Sequence, residues 1–237
     1  MSSGFGFVSA FDGARVDGSW LEVVTEFARG TSWMNAAVEW WTGAGLVVFA
    51  ILMVLGWWRA RRRDAAVMAG ALAVPVAVCV AFAVAEVVKK VVAEPRPCWS
   101  SLHAFIIETC PAPDDYAFPS GHATVAAATV GALCVVDRRL AVAATVFAVL
   151  EGFTRVYVGA HYPHDVLGSF VLALPIAWAV CVLARRIGTG PVSRLRAGVL
   201  APVLGARPTR AGSQLAVEPD DARAAHASGP QPSESSA

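Results

Sequence analysis

Between residues 38 and 186 the chain alternates long apolar runs with short charged breaks. The runs at 38–58 and 65–88 each reach the roughly 20 residues needed to cross a bilayer as a helix. Three more, at about 121–136, 140–158 and 164–184, bring the predicted spans to five, the third of them short. Ahead of these the pattern changes. From Ser19 to Arg29, Trp20, Leu21, Val23, Val24, Phe27 and Ala28 recur at helical spacing, with Glu22, Glu26 and Arg29 on the other side. That predicts an amphipathic helix, too short and too charged to span, lying at the membrane interface or packed on the bundle. Pro75 predicts a kink in the second run. The expected fold is all-α, an integral-membrane helical bundle of five to six transmembrane helices with an N-terminal interfacial helix. The expected organisation is an N-terminal segment 1–37, a membrane domain 38–186 and a cytoplasmic tail 187–237. The tail is rich in Pro, Ser, Gly and Ala and is expected to be largely disordered.

The flanks of the runs set an orientation. Trp40, Trp41, Trp57 and Trp58 mark the two ends of the first span as an aromatic belt. Arg59, Arg61, Arg62, Arg63, Arg138, Arg139, Arg185, Arg186, Arg194 and Arg196 all fall on one side. Arg15, Arg29, Lys89, Lys90, Arg96 and Arg155 fall on the other. The richer side is expected to be cytoplasmic. The 93–119 loop and the segment around residue 161 then face outward.

Composition supports a membrane protein. Of 237 residues, 56% are hydrophobic and 16% charged, against about 25% charged in soluble domains. A net charge of +1 argues against nucleic acid as a partner, which would require a basic patch. The first thirty residues lack a basic start followed by an apolar core, so no cleavable signal peptide is expected. Cys79, Cys134 and Cys181 fall inside apolar runs and are read as packing residues. Cys98 and Cys110 flank one polar loop; they are either bridged, if the loop faces an oxidising compartment, or two free thiols.

Three ionisable stretches fall on the outer side: Lys89 to Pro97, Phe118 to His122, and Thr154 to Asp165. Ionisable residues at membrane depth are costly and mark functional sites. Lys89, Arg96 and Arg155 supply three cations, and arginine suits a phosphate bidentately. Ser120 stands where an N-cap belongs, and Gly121 lets backbone amides approach an anion at that helix start. His122 is placed to act as a general acid. His161 is placed to attack phosphorus, oriented by Asp165 four residues later.

These stretches, Lys-x6-Arg-Pro, Pro-Ser-Gly-His and Thr-Arg-x5-His-x3-Asp, resemble the three signature motifs of the type 2 phosphatidic-acid phosphatase superfamily, in the expected order. The resemblance covers roughly residues 85–170, and Thr154 stands where the family usually has serine. Glu-Pro-Arg-Pro and His-Tyr-Pro-x-Asp-Val are closest to the undecaprenyl-pyrophosphate phosphatase branch. The resemblance implies metal-independent hydrolysis, without a cofactor, through a phosphohistidine. His161 would be the nucleophile, His122 acid and then base, and Asp165 the orienter, with Lys89, Arg96, Ser120, Gly121 and Arg155 binding phosphate. The implied substrate is a lipid phosphate at the outer face of the plasma membrane: an isoprenyl pyrophosphate, phosphatidic acid, phosphatidylglycerophosphate or another polyprenyl phosphate.

Other readings compete. His122, His161, His164 and Asp165 together could ligate a metal, though converging arginines would repel a divalent ion. An anion transporter would show paired broken helices in two related halves, and no internal repeat is evident. A silent lipid-binding relative would lack the nucleophile or the acid. His164 and His103 are read as bystanders and Lys90 as a snorkelling residue. Glu151, one helical turn before Arg155, is expected either to pair with it or to stand alone.

Overall fold

The computed structural model describes residues 11–100 and 103–205. The helices in order are α1 (Ala14–Gly30), α2 (Ser32–Ala60), α3 (Ala65–Val92), α4 (Pro97–Ser100), α5 (Gly121–Val136), α6 (Arg138–Tyr157), α7 (Pro163–Arg196) and α8 (Ala201–Leu204). The helices starting at Ser32, Ala65, Arg138 and Pro163 are long and apolar enough to cross a membrane, and α5 is a shorter apolar helix. The architecture is thus a multi-pass all-α bundle. All five expected runs are helices.

α5 sits at the centre, packed against α2, α3, α6 and α7. It is apolar on every side, as a helix wrapped by others must be. Small residues let its neighbours come close. At Gly131 a Cβ would lie 2.2 Å from the carbonyl oxygen of Leu174, a backbone atom of α7 that has no rotamer to yield. Gly131→Val is therefore expected to separate α5 from α7. The check is loss of the monodisperse peak in detergent size-exclusion chromatography and a clearly lowered Tm.

The Trp pairs of α2 stand about 25 Å apart along its axis, close to the hydrocarbon thickness. Trp40 and Trp58 are exposed. At the arginine-rich end, Arg59 pairs with Asp137 at 2.8 Å. Arg196 donates to the carbonyls of Ala60, Arg63 and Leu204. This anchoring explains a departure from expectation: α7 continues to Arg196 rather than ending near 184. Ordered helix therefore occupies the first part of the segment expected as tail; the remainder, 206–237, lies outside the described residues.

α1 is longer than the predicted 19–29 helix and packs on α6, α7 and α2. Leu21, Thr25 and Ala28 are buried against the bundle, while Trp20, Val23 and Phe27 remain exposed. Its apolar residues thus serve two faces, one against protein and one outward.

Candidate active site

The ends of α3, α5, α6 and α7 opposite the arginine-rich end carry the predicted residues. α3 delivers Lys89 in its last turn and stops at Ala93, which is left-handed at φ 50°. The chain then turns through Glu94 and Pro95 to Arg96. α5 opens at Ser120, whose hydroxyl accepts from the Ala123 amide at 3.5 Å. α6 delivers Arg155, and Gly159 at φ 74° reverses the chain. Positive φ favours glycine, and here a Cβ would also meet Ile106.

The His-x3-Asp spacing has a local cause. Tyr162 is the N-cap of α7 and Asp165 is its N3 residue. An N3 carboxylate reaches back to the N-cap amide: Asp165 Oδ2 accepts from Tyr162 N at 2.8 Å. The same oxygen lies 3.3 Å from His161 Nδ1. On the other side of the ring, Arg96 Nη1 lies 3.4 Å from His161 Nε2. A guanidinium only donates, so Nε2 is an acceptor and Nδ1 carries the hydrogen towards Asp165. His161 and Asp165 are buried. Burial, then the charges of Arg96, Arg155 and Lys89 and the neighbouring His122, hold the His161 pKa well below the usual histidine value.

Arg96 is fixed by three further contacts: Nε to the Asp115 carbonyl at 2.8 Å, Nη2 to Asp115 Oδ2 at 2.9 Å, and Nη1 to the Ala160 carbonyl at 3.4 Å. Lys89 Nζ lies 3.3 Å from Glu86 and 3.5 Å from Asp115, which gives Glu86 a partner. Arg155 grips Glu108 with both terminal nitrogens, at 2.7 and 2.9 Å. His122, on the first turn of α5, is half-buried, and the charges of Arg155, Arg96 and Lys89 act on its ring. Ser169 Oγ sits between the carbonyls of Ser120 and Asp165, at 2.9 and 2.8 Å, and so stitches the second motif to the third. The three motifs therefore converge.

Several partners were not anticipated. Asp115 and Glu108 occupy the cations expected to meet phosphate. Their only sequence signal was acidity within or beside the loop flanked by Cys98 and Cys110, which are joined as a disulfide with Cα atoms 6.0 Å apart. Glu151 does not bond to Arg155, whose guanidinium Glu108 has taken; the carboxylate turns instead towards Trp41 and Gly45. His164, read as a bystander, is embedded among carboxylates. Its Nδ1 lies 2.7 Å from Asp17, and its Nε2 lies 3.0 Å from Glu94 and 3.4 Å from Asp165. Among the described residues, Glu94, His164 and Asp165 form the one set whose donor atoms, within 4.8 Å of one another, could hold a metal ion. It is not the set read from the sequence, since His122 and His161 are outside it.

Comparison with known proteins places the chain in a family. The chain is 32% identical over 117 residues to an undecaprenyl-diphosphatase of Sulfolobus acidocaldarius, covering 49% of this chain and 54% of that protein. It is 41% identical over 86 residues to undecaprenyl-diphosphatase BcrC of Bacillus subtilis, covering 36% and 42%. The chain thus spans about half the length of these curated relatives. The crystal structure of a transmembrane PAP2-type phosphatidylglycerolphosphate phosphatase from Bacillus subtilis superposes with a TM-score of 0.53 at 23% identity, covering 72% of this chain and 87% of that one. It shares the fold. The family profile described as PAP2 superfamily matches residues 70–188, a stretch that contains all three motifs and amounts to half of the chain: this protein belongs to the PAP2 superfamily.

Proposed function

We propose that the protein is an integral-membrane lipid phosphatase that works through a phosphohistidine, with an isoprenyl diphosphate as the favoured substrate class. The observation that carries this reading is the buried His161 ring, with a carboxylate on Nδ1 and a guanidinium beside Nε2. His161 Nε2 forms a bond to phosphorus as the bond to the leaving oxygen breaks, and His122 protonates that oxygen. His122 then takes a proton from water, which displaces the phosphoryl group from Nε2 and releases phosphate. Lys89, Arg96, Arg155 and the backbone at Ser120 and Gly121 spread the charge of the equatorial oxygens, the main task in such transfers. The names of the two curated relatives support a diphosphate substrate; phosphatidic acid, phosphatidylglycerophosphate and other polyprenyl phosphates share its chemistry. The cationic imbalance between the two ends of the bundle supports a site on the extracytoplasmic side of the plasma membrane.

The test is phosphate release from a panel of lipid mono- and diphosphates by the full chain in detergent, with a chelator present. Turnover is expected to survive the chelator and to favour an isoprenyl diphosphate. His122→Ala is expected to lower kcat by roughly 10²- to 10⁴-fold. Activity that disappears with chelator would indicate a metal enzyme, and the mechanism would be wrong.

The pH dependence of His161 has a definite sign. A histidine pKa held below its ordinary value keeps the ring neutral, and so nucleophilic, as pH falls through about 6.5. The acidic limb of kcat/KM should therefore not arise from His161. NMR of 15N-histidine-labelled protein without substrate should show no His161 titration between about pH 8 and 6; a midpoint near the ordinary histidine value would contradict this.

A further inference from the structure

One buried cluster beside the site is not used by the mechanism above. Asp17 lies where α1 breaks from helical geometry, at φ −147° and ψ 27°. That break turns its carboxylate onto the start of α7. Oδ2 accepts from the His164 backbone amide at 2.7 Å, and Oδ1 lies 2.7 Å from His164 Nδ1. One of the orphan amides of the first turn of α7 is thereby capped from another helix. The opposite ring nitrogen, Nε2, faces both Glu94 oxygens, at 3.0 and 3.2 Å. An imidazole with a carboxylate at each nitrogen donates at both and carries a positive charge. The ring is stacked between Tyr162 and Phe118, with centroids 5.6 and 6.0 Å away. Glu94 is fully buried, and a Cβ at Gly13 would collide with it. Glu94 is thus enclosed, while His164 and Asp17 are only partly buried.

Its consequence falls on Asp165. His164 Nε2 lies 3.4 Å from Asp165 Oδ1, the oxygen that has no hydrogen-bond partner. Glu94 adjoins the same carboxyl: oxygens of the two acids and the His164 ring nitrogen all lie within 4.8 Å of one another. Two adjoining buried carboxylates repel when both are ionised, and the imidazolium between them offsets that repulsion. Were Asp165 to hold a proton, it could donate to His161 Nδ1; the hydrogen would then sit on Nε2 and leave no lone pair to attack phosphorus. We propose that His164, held between Asp17 and Glu94, is a positioning residue that keeps Asp165 an acceptor and thereby fixes His161 in its Nδ1–H tautomer.

This inference rests on the proposed role of His161, and its test separates the two. The full chain in detergent, labelled with 15N-histidine, is compared with His164→Gln, with His161→Gln serving to assign the His161 signal. Leu21→Ala controls for loosened docking of α1, because Leu21 is buried in the apolar cluster with Ala123, Val156, Tyr162 and Val166 and its side chain carries no charge or hydrogen bond of its own. Wild type and Leu21→Ala should both show the Nδ1–H form of His161. His164→Gln should shift it towards Nε2–H and lower kcat by roughly 10- to 100-fold, with KM changed by less than about threefold. An unchanged tautomer in His164→Gln, or the same shift in Leu21→Ala, overturns the proposal. Should wild type hydrolyse nothing in the lipid panel, the proposed function falls while the tautomer comparison still decides this inference.

Discussion

Replacing His161 by glutamine should abolish turnover, lowering kcat/KM by about 10⁴-fold or more. Glutamine keeps much of the volume and can still meet Asp165 and Arg96, so the fold should persist. Its amide nitrogen has no lone pair available to phosphorus, so the covalent route is closed. Positioning cations alone would leave only a slow direct attack by water. The measurement is rapid quench into denaturant at alkaline pH, where a phosphohistidine survives, using substrate labelled in its terminal phosphate. Wild type should show protein-bound label that forms and decays with turnover, and the variant none. Label retained in His161→Gln would place the nucleophile elsewhere.

Arg155→Ala should lower kcat by about 10²- to 10³-fold, the scale of losing one preorganised charge-stabilising group. Glu108→Gln should act in the opposite sense. Both terminal nitrogens of Arg155 are taken by the Glu108 carboxylate. Asp115 likewise holds Arg96 and Lys89. A phosphate must displace these oxygens before it can use the cations. Glutamine offers a neutral and weaker competitor, so KM should fall roughly three- to tenfold. The two variants separate a binding role from a competing one. If Glu108→Gln instead raises KM, Glu108 supports substrate and does not compete with it.

Much of the candidate site was legible in the chain. Lys89, Arg96, His122, Arg155, His161 and Asp165 stand at fixed offsets from helix ends that the apolar runs themselves announce. The offset of His161 from Asp165 is the reach of an N3 carboxylate across a helix start, and local geometry of that kind survives in one dimension. The partners of the cations were not legible. Glu108 and Arg155 are 47 residues apart, and only the path of the loop past Val158, which accepts from the Ile107 and Glu108 amides at 3.0 and 3.2 Å, brings them together. Of the two readings of Glu151, the pair with Arg155 is not formed, for the same reason. Spacing placed both on one helical face, but a distant carboxylate competed better for the guanidinium.

By itself, then, the sequence determined the number of apolar helices, the end of the bundle on which the ionisable residues gather, and the residue types available to a phosphoryl group. These depend on burial of apolar surface and on hydrogen bonds within one or two turns, both written in residue order. Only the tertiary structure decided that α7 runs on to Arg196 and that α1 shares its apolar residues between bundle and surroundings. It alone decided that His164 is wired through Asp17 and Glu94 to the carboxylate behind His161. Each of those depends on which charged or polar group from a remote segment arrives first at a buried partner, and only packing settles that competition.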